Sequence, residues 1–166
     1  HFLLTDLLRE RLVDTAPARV VVVSSFAHRW ALSGLDRTDL QSTGRFRGFA
    51  VYGRSKLANA LFANELARRL TGTGVTVNAV HPGSINSHFG GDGDTGVLSW
   101  FISSFGEYVL RPPSAGARTP VLLASSAAPE IAGSTGAYFS SGRRRRASGR
   151  ARSTEEQRWL WDVSER

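Results

Sequence analysis

Hydrophobic positions change their period several times along this chain, and each change marks an element. Leu3, Leu4, Leu7, Leu8 and Leu12 recur at helical spacing, which predicts a helix over residues 1–13. Asp14-Thr15-Ala16-Pro17 breaks it. Between Arg19 and Ser25 the pattern becomes an uninterrupted β-branched run, Val20 to Val23. Such a run suits a strand covered on both faces by helices. Residues 26–50 are polar and glycine-containing and are expected to form a long loop.

From Val51 to Leu70 the period is helical again. Leu57, Leu61, Phe62, Leu66 and Leu70 form the apolar stripe, while Ala58, Ala63 and Ala67 allow a neighbour to approach closely. Thr71-Gly72-Thr73-Gly74 supplies the stop. A second strand is predicted over Val75–His81, ending at Pro82-Gly83. Strand, loop, helix and strand make one βαβ unit. Gly90 to Gly96 is expected to be a flexible hinge, followed by an aromatic segment over residues 97–110. A helix is predicted to open at Pro112-Pro113-Ser114 and run through Leu123, followed by a short last strand over residues 136–140 and a tail helix over residues 153–163. Ser153 is its expected cap, with Glu156 three residues later as capping-box partner.

Composition narrows the chemistry. A chain of 166 residues, 41% hydrophobic, can bury the core of one domain. There is no cysteine, which excludes disulfides and thiolate metal sites, and the four histidines lack ligand spacing; no metal site is expected. No apolar run has the length of a membrane span. Much of the net charge of +7 lies in Arg143-Arg144-Arg145-Arg146, Arg150 and Arg152. Residues 143–152 are expected to be a solvated basic connector between a domain over residues 1–142 and a helix over residues 153–166. A nucleic-acid or anionic-membrane module is the alternative. No aromatic residue is interleaved in the run as a stacking platform, so no nucleic-acid partner is expected. The chain contains no methionine and opens inside an apolar pattern, which is expected of a fragment with material missing upstream.

Lys56 is the single lysine, and it stands four residues after Tyr52. On a helix this spacing sets an ammonium beside a phenol. A nearby cation favours the phenolate, and a phenol poised in this way can lend or take a proton. Ligands of open parallel α/β sheets bind at the carboxyl ends of the strands. Ser24-Ser25 ends the first predicted strand, Pro82-Gly83 ends the second, and Tyr52 and Lys56 open the helix between them.

These residues resemble the short-chain dehydrogenase/reductase family. The likeness is carried by Val22-Val23-Ser24-Ser25, by Tyr52-Gly53-Arg54-Ser55-Lys56 and by His81-Pro82-Gly83-Ser84-Ile85-Asn86-Ser87. Within the family the chain looks most like the retinol dehydrogenase group, through Gly48 to Tyr52, Ser55 to Asn59, Glu65 to Leu70, Gly136 to Ser140 and Trp159 to Asp162. The resemblance implies an α/β fold, the C-terminal part of a Rossmann-like doubly wound parallel sheet whose N-terminal dinucleotide-binding half is missing. The Val20–Val23 strand would then expose an unpaired apolar edge.

The same resemblance implies an NAD(P)-dependent oxidoreductase interconverting a hydrophobic alcohol with its aldehyde or ketone, with NADP favoured. Tyr52 would be the general acid or base, Lys56 its electrostatic partner and a ligand of the nicotinamide ribose, and Ser25 the group that polarises the substrate oxygen. Pro82, Gly83 and Ile85 would border the nicotinamide, and Ser87 would bond the cofactor. Residues 97–110 would be a substrate lid suited to a retinoid or fatty aldehyde. The likeness implies a cytosol-facing site at the endoplasmic reticulum membrane, with membrane association only through a segment upstream. The family's glycine-rich dinucleotide turn is absent from this sequence, so the chain alone is expected neither to grip the cofactor nor to turn over. A non-catalytic binding or scaffold protein on the same fold is the rival reading.

Overall fold

The computed structural model describes residues 1–44, 46–83 and 112–166. Two short helices, α1 (Phe2–Leu7) and α2 (Arg9–Asp14), lead into strand β1 (Ala18–Val23). A 3-10 turn at Phe26–Arg29 and an irregular stretch lead to the long helix α3 (Gly48–Arg69), which feeds strand β2 (Val75–His81). Beyond residue 111 come α4 (Pro113–Ser125), the one-turn α5 (Pro129–Ala132), strands β3 (Ala137–Ser140) and β4 (Arg143–Arg145), a 3-10 turn at Arg150–Arg152 and α6 (Thr154–Ser164).

The sheet order is β1-β2-β3-β4. β1, β2 and β3 run parallel, with Val22 opposite Ala79 and Ala79 opposite Tyr138; β4 returns antiparallel. Period-two alternation sorts the strand residues between two cores. Val20, Val22, Val75, Val77, Ala79 and Tyr138 face α3 and α6, where they meet Leu57, Leu61, Leu66 and Trp161. Val21, Val80, Ala137 and Phe139 face the other way, onto Leu123 and Ile131. Helices therefore cover both faces of a mostly parallel sheet, as the sequence pattern predicts.

Four local outcomes differ from the pattern. The valines of β1 meet helices on both faces but are covered incompletely. β1 is the outermost strand among the described residues, Val20 and Val21 are half-buried and Val23 is exposed, so the apolar edge expected from the sequence is present. The predicted first helix is broken at Leu8, and Leu3, Leu4, Leu7 and Leu8 of its stripe point outward; Leu12 alone of the stripe packs on the core, with Phe2 and Val13. The loop predicted over residues 26–50 contains the 3-10 turn and the first turn of α3, which starts three residues before the expected Val51.

The fourth difference concerns the arginine run. Ser141 and Gly142 both adopt positive φ (52° and 71°), the signature of a two-residue I′ hairpin loop, and they return the chain beside β3. Arg143–Arg145 is thus fully exposed but hydrogen-bonded as an edge strand rather than a free connector. The tail helix forms where predicted. Ser153 caps it by accepting the Glu156 N–H at 3.3 Å, but the Glu156 carboxylate binds Arg150 at 2.7 Å instead of completing a capping box.

Candidate active site

The parallel register places the ends of β1 and β2 side by side. Val23 lies opposite Val80, and the Ser24 N–H donates to the Val80 carbonyl at 2.8 Å. Ser24-Ser25 and His81-Pro82-Gly83 therefore leave the sheet at the same carboxyl edge. Gly83 has φ of 101°, a conformation that costs glycine little and other residues much, so the chain can turn immediately after β2.

The two serines divide their work. Ser24 is buried, and its hydroxyl donates to the Lys56 carbonyl at 2.7 Å, tying the end of β1 to α3. The Asn59 amide reinforces that tie by donating to the Val23 carbonyl at 3.0 Å. Ser25 is half-buried and caps the 3-10 turn, its Oγ accepting the Ala27 N–H at 3.2 Å. That contact uses an oxygen lone pair and leaves the Ser25 hydroxyl proton to donate elsewhere.

Tyr52 and Lys56 are both half-buried on α3, with the Lys56 Nζ 5.4 Å from the centre of the Tyr52 ring. The helical spacing thus brings the ammonium against the Tyr52 ring. Burial lowers the Lys56 pKa from its ordinary value of 10.5. The first of the three residues between them, Gly53, is buried where α3 meets the turn that Ser25 caps: a Cβ there would lie 3.1 Å from the Ala27 carbonyl oxygen. A glycine at this point lets the segment following Ser25 pack directly on the helix turn that carries Tyr52. Ser25, Tyr52, Lys56, Pro82 and Gly83 thus converge on one edge, whereas Ile85, Ser87, the Gly90 to Gly96 hinge and the lid over residues 97–110 lie outside the described residues.

Known proteins similar to this chain point to one family. Residues 40–94 match the short chain dehydrogenase family. Human retinol dehydrogenase 12 is 46% identical over 99% of this chain and 50% of its own length, and human retinol dehydrogenase 14 is 40% identical over 99% and 48%. The chain belongs to the short-chain dehydrogenase family. It spans about half the length of the curated relatives it matches. The human WW domain-containing oxidoreductase is also similar, 41% identical over the whole chain and 41% of its own length. A crystal structure of an uncharacterized protein from Mycobacterium Paratuberculosis superposes with a TM-score of 0.67 at 31% identity, covering 99% of this chain and 54% of that one.

For a short-chain dehydrogenase, the residues present fit one end of a nicotinamide cofactor. Among the described residues no carboxylate pairs with Lys56, so a half-buried ammonium is available to donate to ribose hydroxyls. The Pro82-Gly83 turn, at the carboxyl end of β2, would offer backbone a close approach to a flat ring. Two surface clefts lie away from these residues. One of about 140 Å³, between Phe2, Asn59, Phe62 and Trp161, includes none of the five converging residues.

Sequence reasoning missed His28, which is fully buried behind Ser25. Its Nε2 accepts the Ser148 N–H at 3.0 Å, which places the proton on Nδ1, 2.6 Å from the Ser25 carbonyl. Both nitrogens are satisfied only in that neutral tautomer, and burial lowers the His28 pKa from 6.5. The ring lies 4.9 Å from that of Tyr138, whose phenol burial pushes up to about 12. His28 thus links the Ser25 turn to the segment after β4. Its spacing from Ser25 hints at a turn, but its long-range partner Ser148, 120 residues later, leaves no local signal.

Proposed function

We propose that this chain supplies the proton-handling half of a nicotinamide-dependent oxidoreductase that interconverts a hydrophobic alcohol with its aldehyde or ketone. The observation that carries the reading is the pairing of Tyr52 and Lys56 on one face of α3, at the sheet edge where the Ser25 oxygen accepts the Ala27 N–H and its own proton remains a donor. In reduction, the Ser25 hydroxyl donates to the substrate carbonyl oxygen and polarises it. The Tyr52 hydroxyl then gives its proton to that oxygen as the carbon receives a hydride. In oxidation the Tyr52 oxygen takes the alcohol proton. The Lys56 ammonium, close to the Tyr52 ring, offsets negative charge developing on the phenol oxygen.

When bound, NADP or NAD supplies or accepts the hydride, NADP being favoured by the retinol dehydrogenase likeness. Tyr52, Lys56, Pro82 and Gly83 would hold its nicotinamide end, with Ile85 and Ser87 following in sequence. The family's Gly-x-x-x-Gly-x-Gly turn, which would cradle the pyrophosphate, is not spelled in residues 1–166, and on this reading those residues alone bind the cofactor weakly. The same likeness favours an endoplasmic reticulum membrane location with the site facing the cytosol; no described helix is long and apolar enough to cross a membrane.

The test is an assay of alcohol oxidation and aldehyde reduction by the intact protein and its Ser25→Ala variant. A fall in kcat of roughly a hundredfold or more supports the reading. Equal turnover by both forms contradicts it. Saturable NADPH binding by residues 1–166 alone would overturn the assignment of this chain to half a site.

A further inference from the structure

Three aromatic side chains stand exposed beside the reacting groups, and the fold does not use them. Phe26 is 50% exposed, Trp30 50% and Phe49 41%. Burying a large ring is among the stronger stabilising contributions available to a domain, so three half-exposed rings in contact with one another need a reason. They form a continuous array. Trp30 stacks on Phe49, with centroids 4.4 Å apart and planes inclined by 27°, and Phe26 meets Trp30 edge-on at 6.1 Å. Phe26 reaches the His81 ring at 6.4 Å, and its N–H donates to His81 Nδ1 at 3.3 Å.

The array is joined to the site at both ends. Phe26 directly follows Ser25, and His81 directly precedes Pro82. Phe49 is three residues before Tyr52 on α3, so the two share a helix face that continues to Lys56. A molecule whose oxygen lies between Ser25 and Tyr52 would therefore have the array beside it. Arg29, 5.5 Å over the Phe26 ring, closes one side and also donates to the Arg146 carbonyl. A cation there discourages a positively charged substrate body and leaves an uncharged one unaffected.

We propose that Phe26, Trp30 and Phe49 form the wall that receives the substrate body and select a flat conjugated or aromatic body over a saturated chain. The inference rests on the catalytic reading above and deepens it, because a retinoid-like and a fatty aldehyde share a head group and differ only here. A stacked indole–phenyl pair presents rigid planar surface and ring quadrupoles, which favour another π system in offset or edge-on contact. A saturated chain gains area burial from the same wall without that geometric term, and loses more rotamer entropy on binding.

The experiment compares 2-naphthaldehyde with decanal in the intact protein, by equilibrium binding and by steady-state reduction. Trp30→Ala is predicted to weaken naphthaldehyde binding about tenfold and raise its KM correspondingly, with kcat largely retained. The same change should weaken decanal binding less than threefold, and Trp30→Phe should restore most of the discrimination. Circular dichroism establishes that each variant is folded, and Phe49→Ala provides an independent variant if Trp30→Ala is not. Equal binding of the two aldehydes by the parent protein, or equal losses for both in Trp30→Ala and Phe49→Ala, would overturn the proposal. Failure of the catalytic reading would look different: Tyr52→Phe would still turn over, whatever the aldehyde preference.

Discussion

The Ser24 hydroxyl donates to the backbone carbonyl of Lys56 at 2.7 Å, so the chain leaving β1 toward Ser25 is tied to the helix that carries Lys56. Ser24 is buried and Ser25 is half-buried. The two hydroxyls should separate cleanly. Ser24→Ala removes a buried hydrogen bond worth about 1 kcal/mol and lowers thermal stability, with a secondary effect on rate. Ser25→Ala should cost less stability and far more turnover. Denaturant melts and kcat measured on both variants check the contrast.

Gly53→Ala asks how closely α3 must approach the turn after Ser25. Alanine gains up to about 1 kcal/mol of helix propensity over glycine. Its Cβ would meet the Ala27 carbonyl oxygen at 3.1 Å, a backbone atom that moves only with the whole turn. The propensity gain and the crowding are of comparable size, so stability should change by less than about 1 kcal/mol. Activity should fall clearly, because the turn carrying Ser25 is displaced relative to Tyr52. Unchanged kcat in a folded Gly53→Ala protein would show that this contact does not position the site.

His28 gives the fold a pH dependence of definite sign. Its folded pKa lies below the ordinary 6.5, chiefly through burial, with the Arg29 charge acting in the same direction and the Ser25 hydrogen bond opposing. His81 is lowered in the same way, first by burial and then by His28. The unfolded chain therefore binds more protons than the folded one in this range. The stability contributed is fully present above pH 6.5 and is lost as pH falls through 6.5 toward the lowered folded values. Melting temperatures between pH 5 and 8 should show that loss, and replacing both histidines by glutamine should flatten the slope there.

Glu65 is fully buried on α3 and binds Arg68 and Arg69, the latter at 2.8 Å, while both arginines remain partly exposed. Burial alone would raise the Glu65 pKa, but hydrogen bonds and charge from the two arginines hold it below the usual 4.5. Removing both arginines leaves a buried charge without compensation and should cost roughly 3–5 kcal/mol. Glu65→Gln leaves two guanidinium groups that water can reach and should cost less. Urea denaturation of the two variants decides the order.

Local patterns carried most of the fold. The β-branched run at Val20 to Val23, the helical stripe from Leu57 to Leu70 and the Pro82-Gly83 stop are short-range signals, and β1, α3 and β2 form where these place them. The proximity of Tyr52 and Lys56 was equally legible, because one helical turn fixes the pair. What stayed hidden depends on partners distant in sequence. His28 is defined by Ser148, the outward face of the first leucines by where Phe2 docks on Phe62 and Trp161, and the strand at Arg143–Arg145 by a hairpin loop whose positive φ angles no charge pattern reveals. The aromatic array was missed for a related reason. Phe26 and Trp30 lie in a stretch without period, and Phe49 looks like an ordinary helix start until the turn at Phe26–Arg29 brings Trp30 against it.

The most direct test of the central claim is the turnover of Tyr52→Phe in the intact protein, with substrate affinity measured on the same sample. Phenylalanine keeps the ring that lies beneath the Lys56 ammonium and removes only the hydroxyl. The predicted result is a loss of kcat of roughly 10²- to 10⁴-fold, the range expected for a positioned acid–base group, with aldehyde binding changed by less than threefold. Turnover retained within a few fold of the parent would contradict the assignment of Tyr52 as the proton-transfer group.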